Sequence, residues 1–312
     1  VSIQVVSRLK TEGYIVKPKD IFLHQTIEAL AGVMKSVDGQ TDENKGEQGF
    51  LLGELPLLPI QRWFFQHIGS EYSHYNQSVL IGLDKSVDER CLAASLNAVV
   101  RQHDSLRMFY QEGPSGWRQV YGERICKLEV VDIGEEKVED ALLRQADKYQ
   151  KSLDIGEGSV VRVVLFQTGA TEVYNRLLFI VHHLCVDGVS WRIVVSDLVR
   201  SISQWQDKRE IKLGAKTSSY RQWGRVVEAY SKTQKLLQEL PYWKALSTKV
   251  SSLPVDKAYT GIIRAADLGS HTVRLGADQT RQLLQDVPKA YRTEINDILL
   301  SGLLKTLSEW RG

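Results

Sequence analysis

From Phe50 to Trp205 the apolar residues keep two rhythms, short unbroken runs and the i, i+3, i+4 spacing of an amphipathic helix. The runs predict strands at YNQSVLIGL (75–83), VVRVVLFQ (160–167) and RLLFIVHH (176–183). RMFYQ and WRQVYG flank Gly113, Pro114 and Gly116 and read as a hairpin. The helical spacing predicts helices after Pro59 in LPIQRWFFQH, over 86–106, over 138–153 and from Val189 to Trp205. A polar break at 208–219 precedes a strongly helical stretch, 218–246, with Tyr220, Trp223, Tyr230 and Trp243 as anchors. Residues 249–268 are loop-rich, SHTVRLGA (270–277) is a strand candidate, and EINDILLSGLLKTLSEW (294–310) is a long helix.

Upstream of Phe50 the pattern differs. Residues 1–37 carry three short helical patterns, too little chain to bury a core alone. Residues 38–49, DGQTDENKGEQG, have no apolar period and read as a linker. The expected organisation is therefore 1–37, linker 38–49, a first lobe at 50–215 and a second at 216–312, with a site between the lobes. Val1 opens inside a helical pattern and no element closes the chain after Gly312, so a piece of a longer polypeptide is expected.

Composition narrows the function. Lys and Arg number 40 against 38 Asp and Glu, with no basic block, which argues against nucleic acid or a membrane surface as partner. Cys91, Cys126 and Cys185 are far apart and odd in number, fitting neither a disulfide framework nor a zinc site. With no signal peptide and no membrane-length apolar run, a reducing cytoplasm is the expected compartment.

The chemistry concentrates in HHLCVDGVSW, His182 to Trp191. Two imidazoles end the buried run LLFIV, where a rigid, partly dry base is useful. Successive strand residues face opposite ways, so His182 and His183 have different jobs. Gly188 allows a tight turn into the next helix, and Cys185, between Leu184 and Val186, reads as a small buried thiol. Arg107 and His103 fall at a helix end, where solvation or an ion pair is expected. Trp63, Phe64 and Phe65 are expected to dock a helix face and not to form a substrate cage.

HHLCVDGVSW, LPIQRWFF, RQHDSLRMFY (101–110) and INDILLSGL (295–303), in that order, resemble the epimerization domains of nonribosomal peptide synthetases, relatives of condensation domains and of chloramphenicol acetyltransferase. Val189 stands where condensation domains usually carry tryptophan, and PIQRWFF also leans to epimerization. Residues 1–37 resemble the last helices of a peptidyl carrier protein, whose phosphopantetheine serine would lie before Val1. The resemblance implies a two-lobed α/β (α+β) fold like chloramphenicol acetyltransferase. It also implies L-to-D epimerization of an aminoacyl or peptidyl thioester on a 4′-phosphopantetheine arm, with neither metal nor pyridoxal phosphate.

His183 would then be the catalytic base or acid, with His182, Asp187 and Gly188 as structural support and Asp187 paired to an arginine. Ser190 and Trp191 are candidates for lining the arm's tunnel, Trp191 equally for packing. The family's second base is a glutamate in a Gly-His-Gly-Arg-Glu-type segment that does not occur here. It is expected beyond Gly312, which would leave the fragment inactive alone. The implied partners are an upstream carrier and adenylation domain in the same polypeptide and a downstream condensation domain. Peptide-bond condensation and noncatalytic carrier docking are the alternative functions.

Overall fold

The computed structural model describes residues 2–36, 46–68, 72–134, 136–248, 253, 255–261 and 267–311. The chain divides into two compact units, Val1–Thr233 and Gln234–Gly312. The first begins with α1 (Ser2–Thr11), the two-residue strand β1 (Tyr14–Ile15), α2 (Pro18–Leu23), α3 (Ile27–Val33) and β2 (Lys35–Ser36). Gly13, at φ 85°, turns the chain out of α1 in the left-handed region that favours glycine. Asp20 and Thr26 receive backbone N–H groups at the starts of α2 and α3, at 2.9 and 3.2 Å. Neither helix buries a residue, and the β1–β2 pairing that brackets them was not legible in the hydrophobic pattern.

Of the expected linker, residues 38–45 lie outside the described residues. Residues 46–49 are pinned to the segment before α8 (Tyr220–Ser231) and to its first turn. Gln48 and Lys216 exchange two hydrogen bonds of 2.9 Å, and Glu47 meets Arg221 at 2.9 Å. Gly46 has no room for a side chain, since a Cβ there would lie 1.9 Å from the Thr217 carbonyl oxygen.

Two sheets follow. The smaller has the order β3 (Gly53–Leu55), β6 (Gly116–Tyr121), β5 (Met108–Gly113). The larger has the order β4 (Asn76–Asp84), β9 (Tyr174–His182), β8 (Val161–Thr168), β7 (Leu128–Gly134). Only β7 and β8 are parallel, and the crossover between them carries α6 (Val138–Gln150). The expected hairpin forms, with Gly116 at φ 97°. β3 and β7 were not anticipated, because one is three residues long and the other mixes Glu129 and Asp132 with its valines.

Alternation along β9 divides the interior. Leu177, Phe179 and Val181 join the larger core with Leu92, Leu96 and Val99 of α5 (Glu89–Gln102) and Val194 and Leu198 of α7 (Ser190–Gln206). Leu178 and Ile180 face the smaller core with Ala141 and Tyr149 of α6. A strand with apolar residues on both faces is thereby buried on both, as its sequence predicts.

The helix expected to reach Leu106 stops at Gln102, and Asp104–Arg107 forms a 3-10 turn. The Arg107 guanidinium causes this by folding back onto the Val100 carbonyl (3.2 Å) and onto Leu51, Gly122 and Asp104. The polar stretch at 208–219 runs back along the first unit, where Gln204 holds Lys212 through both its amide atoms, at 2.9 and 3.2 Å. The division between units falls later, after α8.

In the second unit the helical stretch from 218 does not continue unbroken. α9 (Gln234–Leu237) and α10 (Leu240–Ser247) are separate, and Pro241 suits a first turn and not a helix interior. The strand expected at SHTVRLGA does not form. Residues 271–276 are exposed and have no ladder partner among the described residues, and without cross-strand hydrogen bonds a strand has nothing to hold it. α11 (Ala277–Arg281) leads through a π turn, Gln282–Asp286, into α12 (Val287–Tyr291). Pro288 has no N–H to continue the α ladder there. α13 (Ile295–Arg311) is the expected long helix.

Candidate active site

The site is built where β9 ends. His182 is fully buried, its Nε2 donates to the Tyr72 carbonyl (2.7 Å), and its Nδ1 accepts from the Leu184 N–H (3.2 Å). The Phe64 ring meets it edge-on at 5.9 Å. Burial pushes this imidazole down to about 4, so it is neutral at physiological pH. Both nitrogens are occupied, and it holds structure.

His183 turns to the other side. Its N–H donates to the Tyr75 carbonyl (2.8 Å), and its ring stacks on Tyr75 with centroids 5.3 Å apart and planes 14° from parallel. Nδ1 lies 2.9 Å from the Val186 carbonyl oxygen and Nε2 lies 3.0 Å from the Gln77 amide nitrogen. A carbonyl only accepts, so Nδ1 carries the proton and Nε2 the lone pair. Gln77 comes from β4, where Asn76 pairs with His182 and Gln77 with Val181. Its other amide atom, Oε1, accepts from the Trp191 indole N–H at 2.9 Å.

The loop after the histidines is gathered by Asp187. One carboxylate oxygen accepts from the N–H of Val189 (3.0 Å) and from the N–H and hydroxyl of Ser190 (both 2.7 Å). The two bonds from Ser190, the backbone one first, hold this carboxyl below the usual range. Among the described residues Asp187 meets no arginine, and it begins α7 instead by satisfying N–H groups that have no partner within the helix. Gly188 has a negative φ and open space around its missing side chain, so the turn itself does not require glycine.

A cavity of about 500 Å³ opens beside His183. Ile60, Trp63, Phe64 and Met108 give it apolar walls, and Ser105, Ser190, Asp187 and Tyr220 contribute polar groups. Ser190 thus lines the cavity. Trp191 does not: it is buried, edge-on to Phe179 at 5.4 Å, and its polar atom is engaged by Gln77. The aromatic triplet of α4 (Pro59–His67) splits, because neighbouring helix positions face different ways. Phe65 stacks on Trp117 at 4.1 Å in the core, Phe64 is buried against the cavity, and Trp63 stays half exposed at its rim.

Cys185 is buried within hydrogen-bond reach of the Tyr110 hydroxyl (3.9 Å), and burial pushes its thiol up to about 12, which makes it a poor nucleophile. Arg107 is buried and meets the ion-pair expectation through Asp104, with its guanidinium 3.5 Å from the Phe50 ring centre. His103 bridges α5 to Asp197 of α7 at 2.8 Å. Among the described residues no group of three His, Cys, Asp or Glu could hold a metal ion, and no helix is long and apolar enough to cross a membrane.

Gln77 and Tyr75 were not singled out from the sequence, and Tyr220, read there only as a helix anchor, proves to line the cavity. Gln77 did leave a signal, since it interrupts the face of β4 that continues with Val79 and Ile81 into the larger core.

A family model described as Condensation domain matches residues 52–312. The chain is 38% identical over its whole length to a linear gramicidin synthase of Brevibacillus parabrevis. It is 37% identical over 99% of its length to surfactin synthase subunit 2 of Bacillus subtilis (strain 168). It spans only 6% and 9% of those relatives. The epimerization domain from the third module of tyrocidine synthetase B superposes with a TM-score of 0.73 at 33% identity, over 86% of this chain and 60% of that one. The first condensation domain of the CDA synthetase shares the fold, with a TM-score of 0.61 at 19% identity over 81% and 61%.

Proposed function

The chain belongs to the condensation-domain family, and from that premise we propose that its cavity epimerizes the α-carbon of an aminoacyl or peptidyl thioester, L to D, within a nonribosomal peptide synthetase. One observation carries this reading: His183 borders the cavity with Nδ1–H bound to Val186, which leaves Nε2 as the basic nitrogen. The 33%-identical epimerization domain, with Val189 in place of tryptophan after the glycine, favours epimerization over condensation.

In this reading the Cα–H bond breaks toward Nε2 of His183, and its electron pair moves into the thioester as an enolate. The imidazolium formed keeps its Nδ1–H on Val186, which steadies the ring through the transfer. A phosphopantetheine arm, when it carries the substrate, supplies the thioester that acidifies the Cα–H. Apolar walls with Ser105 and Ser190 suit the uncharged, amide-bearing pantetheine part of that arm. Inversion needs a second acid on the opposite face. Asp187 is committed to the start of α7 and is not assigned that part. Residues 2–36 are read as the closing helices of a carrier domain that precedes the site.

The test is a module carrying this chain and a loaded carrier, held in D2O. Deuterium should enter Cα and D-product accumulate, and no exchange would sink the reading. The family model's own description favours condensation as a second reading. That reading gives a dipeptidyl thioester on an acceptor carrier without Cα exchange.

A further inference from the structure

We propose that Gln77 is a positioning residue that, oriented by Trp191, holds the His183 ring of the substrate-free chain in the Nδ1–H form, with the lone pair on Nε2. The inference deepens the reading of His183 as a base and rests on it for its functional consequence. Its geometric part stands alone, on a directed chain of hydrogen bonds from the Trp191 indole through Gln77 and His183 to the Val186 carbonyl.

An indole N–H can only donate, so the atom of Gln77 lying 2.9 Å from it is the amide oxygen. The Gln77 NH2 group must then face Nε2, 3.0 Å away, and a bare lone pair is the only state of Nε2 that accepts it. A proton on Nε2 would set N–H against N–H. Turning the amide over would relieve that clash and create the same clash at Trp191. Both ends of the chain are fixed, Trp191 by burial against Phe179 and Val186 by a backbone carbonyl that also lies in the buried core.

With Nε2 read as the base, the Gln77 amide occupies the lone pair that a substrate proton would take. Gln77 therefore caps the base until an incoming Cα–H displaces it, and it recaps the ring once the proton has gone. Trp191, which does not touch the cavity, acquires a function through this link.

Selective 15N labelling of the histidines, with His183→Ala to assign the signal, reads the ring directly. The wild-type chain should show a protonated Nδ1 and a bare, hydrogen-bonded Nε2. Gln77→Glu replaces the donor by an acceptor and should add a proton at Nε2 while Nδ1 keeps its own on Val186. In the loaded module it should lower kcat for Cα exchange by ~10-fold or more, with KM little changed. Trp191→Phe frees the amide to turn and should give a mixture of ring states with a smaller rate loss. Gln77→Leu should abolish the effect of Trp191→Phe on the ring. Melting curves must first show each variant folded.

An Nε2–H ring in the wild type would overturn the proposal. So would a folded Gln77→Glu with unchanged ring signals and rate, or a Trp191→Phe effect that persists undiminished beside Gln77→Leu. A wild type with the expected ring state but no Cα exchange would instead defeat the proposed function and leave this inference standing.

Discussion

The two sides of the β9 terminus carry the same side chain to opposite ends. On one side His182 is sealed, with both nitrogens bonded and its charge suppressed by burial. On the other, His183 borders a cavity and is held by groups that define which nitrogen is basic. One residue of displacement along a strand separates a structural imidazole from a chemical one. The lesson is that residue type and burial do not identify a base. What identifies it is the donor or acceptor character of whatever meets each nitrogen.

Variants at the two positions should therefore fail in different ways. The largest effect is expected from His183→Ala, which should cost ~10²–10⁴-fold in Cα exchange while stability changes by under about 1 kcal/mol. His182→Ala should destabilise the first unit by about 3 kcal/mol in urea unfolding, because it opens a void and orphans the Tyr72 carbonyl and the Leu184 N–H. An equal loss of stability in both variants would erase the contrast.

Acid sharpens it further. With His182 pushed down to about 4 from 6.5, the unfolded chain binds a proton between those values that the folded chain refuses. Its contribution to stability should therefore fall as pH drops from 6.5 toward 4, by about 3 kcal/mol in all. His182→Leu should remove that part of the slope.

Asp187→Ala should cost about 1 kcal/mol as a lost helix start. Its carboxyl is depressed, so its contribution is present above the ordinary carboxylate value and disappears as pH falls through the folded value. The smallest effect belongs to Cys185, which should resist alkylation in the folded chain at pH 8 and become reactive only in denaturant.

Much of this was legible in the sequence. Alternation in RLLFIVHH separated the two histidines before any geometry was known, and the runs at β4, β8 and β9 formed as their patterns predict. Local rules failed where distant groups decide. The helix through Leu106 yielded to Arg107, whose carbonyl partners at Leu51 and Gly122 lie far along the chain. SHTVRLGA has strand composition and no strand beside it among the described residues. Gln77 escaped notice because its importance comes from pairing with a segment more than a hundred residues away.

That pairing has a consequence for how the chain tolerates change. β4 is a marginal strand of its sheet, bonded along one flank, and its alignment with β9 is what sets an amide beside the imidazole. Shift it by a single residue and Gln77 swings to the far face, with Asn76 or Ser78 brought up in its place. Confined to the start of β4, ahead of Val79, Ile81 and Leu83, such a slip leaves the apolar set of the larger core in place. An insertion or deletion of one residue between Tyr75 and Ser78 would thus leave a well-folded protein with a mute histidine.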